Sequence, residues 1–459
     1  MSVIMKPQKI NQSQAELFRN RLSNQIKPNH PLKTLADKIS WSLVEAEYAE
    51  LFIDNGKGGR PATPVRLVVG LLLLQYLNDL SDEAVCSSWV ENPYWQYFCG
   101  YDYLEWELPI DPSSLTRWRG RLGKERLEQI LKLTVKAGID TGTVSKKDLE
   151  TAIVDTTVIP KNIAHPTDSK LLNKSRERLV KMAKKNDIEL RQNYRLVTQK
   201  LAWQISGYLH AKQMKRAKKA ISKMKTITAR VARDIERKIE GNVELQHIFK
   251  DELDKANRLL IQTKASKNKL YSLHEPNVEC IAKGKARTRY EFGCKGSFAI
   301  THKKGRGFVI GAEALHDNPY DGHTLKGTLA LAERMTGTKI KTVFVDNGYK
   351  GHNLNLNEDG VSDSDSNAAT TVWMSRQKRG VTAAIKKKIH RRQAIEPHFG
   401  HMKNEGKLGR CRLWGRAGDE AHAILVAAGY NLKLILNHLK ELLLPIFCLL
   451  FLTTSSSFA

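Results

Sequence analysis

Between residues 161 and 240 the chain carries 22 Lys and Arg against 7 Asp and Glu, with little Gly or Pro. Leu, Ile, Met and Val recur there at helical spacing, as in Leu201-Ala202-Trp203 and from Val231 to Ile239. The pattern predicts a pair or more of long amphipathic helices with cationic outer faces. A charge run usually marks a solvated face; so one-sided a sign points instead to contact with a phosphate backbone. Strand-like segments lie on both sides of this stretch, so the helices, over about 165–280, read as an insertion into something else.

The rest of the chain shares the bias. The 459 residues carry a net charge of +27, with a pI near 9.7. A protein this basic usually meets a polyanion, because Lys and Arg release condensed counterions from nucleic acid. An acidic membrane surface is the competing partner on composition alone. The opening MSVIMKPQKINQSQAE has no apolar core of a secretory signal. The longest apolar run, Leu442 to Leu452, is broken by Pro445 and falls short of the roughly 20 residues that span a bilayer. Six cysteines without a C-x-x-C pair argue against a zinc site or disulfide framework and fit a reducing cytoplasm. The expectation is a cytoplasmic protein with no membrane role. Its length suggests about three units.

Residues 1–145 read as an all-α N-terminal domain. Thr63-Pro64 serves as N-cap and first position for Val65 to Leu77, and Ser81-Asp82-Glu83 opens a second helix that Asn92-Pro93 stops. An aromatic-rich stretch, Tyr94 to Trp106, precedes Asp111-Pro112-Ser113-Ser114, which opens a short basic helix from Leu115 to Leu122. Its Arg117, Arg119 and Arg121 suit the recognition element of a helix-turn-helix DNA-binding module. The plainer alternative is a small bundle with a solvated arginine face.

ETAIVDTTVIP, Glu150 to Pro160, reads as a buried strand with one acid inside it. Further strands are predicted at Thr288 to Phe292, Ser297 to His302 and Gly307 to Leu315, with turns at Lys295-Gly296 and Lys304-Gly305. Asp317 to Gly322 reads as a loop, Thr324 to Thr336 as a helix and Lys341 to Val345 as a buried strand. Asn353 to Asn367 reads as a loop, and helices return over Val381 to Leu408 and Asp419 to Leu444. The order is that of an α/β fold with a mixed sheet. Residues 146–440 form the expected second domain, and 441–459 an apolar tail.

Three acids stand out by setting: Asp155 within a strand, Asp346 at a strand end and Glu396 in a basic helix. Acids from two strands and a packed helix could converge on magnesium, a hard cation that takes a few carboxylates plus substrate phosphate. Two such ions about 3.5–4 Å apart activate a water or 3′-hydroxyl and stabilise the leaving oxygen. Taken singly, each acid is equally a turn former, a cap or, for Glu396, a partner for Arg392. The spacing Arg392, Glu396, Lys403 puts cations beside the acid, which suits a phosphodiester better than a small neutral substrate.

These pieces together resemble the DDE transposases of bacterial insertion sequences, in particular insertion sequence family five. The resemblance rests on IVDTTVIP around Asp155, NPYDGHTL from Asn318 to Leu325, VFVDNGYKG around Asp346 and RRQAIEPHFGHMKNEGKLGR around Glu396. Tyr271 to Lys295 and Gly59 to Gly100 extend it, so that it spans residues 40–435. It implies an RNase H-like catalytic core in which Asp155, Asp346 and Glu396 are the catalytic triad and metal ligands. It also implies two Mg²⁺ ions, with Mn²⁺ as a substitute, cleavage at the inverted repeats, and transfer of 3′-hydroxyl ends into target DNA. Double-stranded DNA and a homodimeric active complex are the implied partners. The related signature Tyr-x2-Arg-x3-Glu-x6-Lys assigns phosphate contacts to Arg392 and Lys403. Ile389 stands where that signature has Tyr, and the tail after residue 440 is a second departure.

Other signals are plainer. Trp373 reads as a core residue or as a ring that stacks on an unpaired base. Asp363, Asp365 and Asn367 mimic a calcium loop, but Ala368 and Met374 replace its glycine and its bidentate acid. His165, His316, His323 and His398 lack metal-ligand spacing and read as structural or phosphate-facing. Asn318 to Thr324 either shapes the site beside the acids or is a simple turn. A DNA-binding regulator or inactive transposase relic is the alternative to an active enzyme, and a host metal-dependent nuclease is a third class.

Overall fold

A computed structural model describes residues 19–49, 62–263, 265–282, 289–305, 307–352, 354 and 370–455. The expected loop at 353–367 and the calcium-loop mimic at 363–368 lie outside the described residues, apart from residue 354. The described helices and strands follow in this order: α1 Leu22–Gln25, α2 Pro31–Lys38, α3 Trp41–Tyr48, α4 Val65–Leu77, α5 Asp82–Glu91, α6 Pro93–Phe98, α7 Ser113–Asp140, β1 Thr151–Pro160, α8 Asp168–Lys185, α9 Arg195–His210, α10 Met214–Ile239, α11 Val243–Ile261, β2 Glu279–Ala282, β3 Tyr290–Thr301, β4 Val309–Leu315, α12 Asp321–Thr336, β5 Thr342–Val345, β6 Thr371–Met374, α13 Ala383–Arg391, α14 Ile395–Asn404 and α15 Gly415–Ser455. They divide into two compact units, one of residues 1–160 with 295–459, the other of residues 161–294.

In the larger unit, α4 ties the N-terminal helices to the C-terminal one. Every residue of α4 except Arg66 and Leu77 is buried, and a helix apolar on all sides must be enclosed. The cover comes from the other end of the chain, as α15 packs on α4, α7 and β4. Contact with α4 is backbone to backbone: a Cβ on Gly429 of α15 would fall 2.7 Å from the Tyr76 carbonyl carbon. Buried Asn431 ties α15 to α7 and the sheet. Its Oδ1 accepts from the Val309 amide at 2.9 Å, while its Nδ2 donates to the Val309 carbonyl at 2.7 Å and to Thr134 Oγ1 at 3.2 Å.

Local signals held in part. Ser81 caps α5 by accepting from the Ala84 amide, and Asn92 both ends α5 and caps α6 through the Tyr94 and Trp95 amides. Thr63 does not cap α4; extended Pro64 holds the cap position without a side-chain bond. The basic helix expected over Leu115 to Leu122 is only the first leg of α7. Gly123, at φ 65°, bends the helix and lets it continue to Asp140. The C-terminal helix likewise runs past Leu444 to Ser455 instead of giving way to a tail.

The sheet of this unit runs β4–β3–β1–β5–β6, with β1, β5 and β6 parallel and β3–β4 antiparallel, so it is mixed as expected. Lys295-Gly296 is not a turn. β3 passes straight through it, and Gly296 leaves the room that Ile159 fills, since a Cβ there would lie 2.7 Å from Ile159 Cδ1. The turn at Lys304-Gly305 is present, with Gly305 at φ 82°. The strand expected at Thr288 to Phe292 is the start of β3, where it pairs with β2; β2 and β6, the latter parallel to β5 with Trp373 opposite Phe344, are short strands not anticipated from sequence.

The smaller unit holds α8 to α11. Ala217, Ala220, Met224, Ile227, Val231 and Ile235 form the buried stripe of α10 at spacings of three and four. Lys215, Lys219, Lys223, Arg230, Arg233 and Arg237 are exposed, which gives the cationic outer face. Not every apolar residue joins the two cores: Leu201 is buried, but Trp203 and Leu196 of α9 are exposed. Among the described residues, no helix is long and apolar enough to cross a membrane.

Candidate active site

β1 and β5 pair in parallel with Ile153 opposite Phe344. Asp155 lies two residues beyond Ile153 on β1, and Asp346 directly follows the last residue of β5. The two acids thus lie at corresponding ends of strands about 4.8 Å apart. Each is already engaged. Asp155 Oδ1 accepts from the Thr156 amide at 2.8 Å, and its Oδ2 accepts from Arg392 Nη1 at 3.0 Å. Asp346 ends β5 and caps the short turn Asn347–Tyr349, accepting from the Gly348 amide at 2.7 Å.

A third carboxylate lies beside them that sequence reasoning did not single out. Asp321 opens α12, three residues earlier than the expected helix start. Its Oδ1 accepts from Thr156 Oγ1 at 3.1 Å and from Lys295 Nζ at 3.0 Å. Gly348 marks how closely the acids approach: a Cβ there would sit 2.9 Å from Asp346 Oδ1 and 3.3 Å from Asp321 Oδ2. Buried Tyr349 completes the cluster. Burial first, and then the charges of Asp155, Asp321 and Asp346, push its phenol far above the usual value. The available signal for Asp321 was the stretch NPYDGHTL, for which a turn was an equally good account.

Helix α14 brings the basic signature to this edge. Phe399 packs against Phe298 of β3 with ring centroids 5.5 Å apart, and His398 Nδ1 lies 2.7 Å from the Tyr430 hydroxyl of α15. Arg392, one turn ahead of α14, thereby reaches Asp155. Glu396 lies four residues on, at helical spacing for the same side, and is exposed. Lys403 lies away from the acids, on a groove bordered by α4, α5 and α7. Ile389 is half-buried on α13.

The donor types suit a hard divalent cation, which takes oxygen ligands from a few carboxylates and from substrate phosphate. Asp155 and Asp346 are the residues that could hold it. Among the described residues, no three His, Cys, Asp or Glu side chains gather closely enough to enclose an ion.

The arginines of α7 part company. Arg117 and Arg121 are exposed, the one against Ser113 and Ser114, the other over the Trp118 ring. Arg119 is buried and not presented to solvent. It grips Asp82 of α5 in a two-pronged pair at 3.0 and 2.5 Å, because a guanidinium matches a carboxylate edge to edge. Trp373 is half-buried in β6. Of the histidines, His165 packs on Phe292, His323 on Tyr320 and His398 on Tyr430, whereas both ring nitrogens of His316 are buried.

Comparison with known proteins bears on these elements directly. Residues 20–121 match a transposase domain (DUF772), and residues 364–436 match a transposase DDE domain that includes Arg392, Glu396 and Lys403. The chain belongs to the DDE transposases. As a transposase it has DNA for a partner, and its fold is α/β with a mixed sheet. The two matched stretches leave Asp155 and Asp346 outside them. A relative from Rhizobium meliloti, printed as "Uncharacterized protein ORF8 in nfe locus", is 45% identical over 209 residues. That alignment covers 46% of this transposase and 100% of the relative. No solved structure matches.

Proposed function

We propose that this transposase binds the terminal inverted repeats of its insertion sequence, cuts the DNA strands there and transfers the freed 3′-hydroxyl ends into target DNA. The observation that carries the reading is Asp155 beside Asp346 on neighbouring parallel strands, with Arg392 against Asp155, in a chain of net charge +27. The order of the sheet supports an RNase H-like core. Asp155 and Asp346 would hold Mg²⁺ once Glu396 of α14 closes on them, and Mn²⁺ would substitute. Two such ions, when bound, activate the attacking water or 3′-hydroxyl and offset charge on the leaving oxygen.

The remaining work falls to the chain's own residues. Arg392 exchanges its carboxylate partner for a phosphate oxygen, a contact of the same charge-assisted kind. Lys403 grips phosphate further along the strand. Asp321, held by Thr156 and Lys295, keeps the Asp155–Asp346 edge in place. Arg117 and Arg121 and the outer face of α10 supply backbone contacts whose strength falls as salt rises. Two copies acting together bring the two element ends into one complex.

A second reading is favoured by one feature, the capture of Asp155 by Arg392 with Glu396 standing apart. In it, the chain is a catalytically inactive, transposase-derived DNA-binding protein. One experiment separates the two. Purified protein is incubated in Mg²⁺ with linear DNA that carries the gene and its native flanks, and new 3′-hydroxyl ends are mapped at single-nucleotide resolution. Cuts at the repeat boundary by the wild type and none by Asp155→Asn support the enzyme. Specific binding to the flanks without cuts from either protein supports the second reading.

A further inference from the structure

The residues after α14 build a feature the proposed chemistry does not use. Arg410 is extended, at φ −160° and ψ 106°. Cys411 is fully buried, its amide bonded to the Pro160 carbonyl at the end of β1 at 2.7 Å. With Cys411 turned inward, the alternation of an extended chain turns Arg410, Arg412 and Trp414 outward, and all three are exposed. Trp414 is 73% exposed, an unusual setting for the largest apolar side chain. The three line a groove of about 800 Å³, with Lys403 on its wall.

Charge in the groove is not balanced. Of its acids, Asp82 and Asp79 are paired, with Arg119 at 2.5 Å and Lys407 at 3.6 Å, which leaves Glu83 against Lys403, Arg410 and Arg412. Among the described residues, neither Arg410 nor Arg412 is in an ion pair. An aromatic ring flanked by cations in an open groove is the chemistry that holds single-stranded nucleic acid: bases stack on the ring while arginines follow the phosphates. The interior of a duplex offers the indole no base face, because its bases are stacked on each other, and a blunt end offers a single one. The placement also suits a strand leaving the active site. Pro160 lies five residues along β1 from Asp155, about 17 Å at roughly 3.3 Å per residue. At the stacked rise of about 3.4 Å per nucleotide, a run of at most about five nucleotides covers it.

We propose that Arg410, Arg412 and Trp414 form a platform for a short unpaired stretch of DNA beside the cut end. This rests on the reading of the chain as a DNA-cutting transposase and adds to it a site for single strands. The test uses the full chain and fluorescence anisotropy. A labelled blunt duplex is compared with the same duplex carrying five unpaired nucleotides, of either polarity, for wild type, Trp414→Ala, Trp414→Phe and Arg410→Gln/Arg412→Gln.

The wild type is expected to favour an extended duplex by about tenfold. Trp414→Ala loses that preference, Trp414→Phe keeps most of it, and the double Gln variant flattens the salt dependence by roughly 1.5 in log–log slope. Melting curves matched to wild type show that the variants are folded, and the Phe variant guards against a fold effect at this position. A preference that survives in Trp414→Ala, or equal binding of both duplexes by the wild type, overturns the platform and leaves the transposase reading standing. Failure of the wild type to bind either duplex overturns both.

Discussion

Replacing Arg119 by Ala tests whether this arginine serves the fold or the DNA. The guanidinium is 7% exposed and joins three helices. Nη1 donates to Asp82 Oδ1 at 3.0 Å and Gln75 Oε1 at 3.3 Å, and Nη2 to Asp82 Oδ2 at 2.5 Å and Thr116 Oγ1 at 3.1 Å. Removing one member of a buried pair costs about 3–5 kcal/mol, because the other charge is left uncompensated. Asp82 remains 19% exposed at its side chain and keeps its bonds from Gln75 and Thr116, which lowers the expected loss to about 2–3 kcal/mol.

Burial works to raise the Asp82 carboxyl, but the Arg119 pair and the Gln75 and Thr116 bonds outweigh it and hold it below the ordinary value. The pair's contribution is therefore full above the ordinary Asp value of about 3.9 and is lost as pH falls through the depressed folded value. Urea unfolding at pH 7 is the assay, with Arg117→Ala and Arg121→Ala as exposed controls expected to stay within about 0.5 kcal/mol of wild type. The gap between wild type and Arg119→Ala should close as the pH drops below about 4. An Arg119→Ala protein as stable as its controls, with the salt slope of its DNA binding flattened as much as theirs, would refute the argument and return Arg119 to the DNA interface.

Arg392→Gln removes a cation about 3 Å from Asp155. Repulsion between a unit charge and a divalent ion at about 4 Å, even in a water-like medium, is about 2 kcal/mol, so Mn²⁺ affinity of the free protein should rise about thirtyfold. Electron paramagnetic resonance of unbound Mn²⁺ reads this, and unchanged or weaker binding would contradict it. Gly429→Ala forces a methyl onto the Tyr76 backbone, which cannot rotate aside. A loss of at least about 1–3 kcal/mol is expected in urea melts, and a neutral result would show that α15 does not press on α4 as described. Burial, then the nearby His401, hold His398 below its ordinary pKa. Its contribution to stability is full above about 6.5 and lost as pH falls from there through the lower folded value. Urea midpoints should therefore fall between pH 7.5 and 5.5 in the wild type, and less so in His398→Asn.

What could be read in the sequence was local or periodic. The stripe of α10, the caps at Ser81 and Asn92, and the strand around Asp155 each follow from spacing within a dozen residues, where the physics of one turn or one pleat decides. The motif around Glu396 was legible in the same way, as residues four and seven apart along a helix. The failures share a cause. Lys295-Gly296 reads as a turn, but Ile159 fills the space above Gly296 and the strand runs on. Arg119 reads like its exposed neighbours, but Asp82, far away in sequence, draws it inward.

The sequence by itself determined that the chain is basic, that a helical block interrupts an α/β order, and which acids are set apart. Tertiary structure alone decided that Asp155 and Asp346 lie at the ends of paired strands, that Asp321 comes near Asp346 and that Arg392 occupies Asp155. Parallel strands far apart in sequence meet only when the whole sheet assembles, and no local periodicity carries the register that puts two carboxylates side by side.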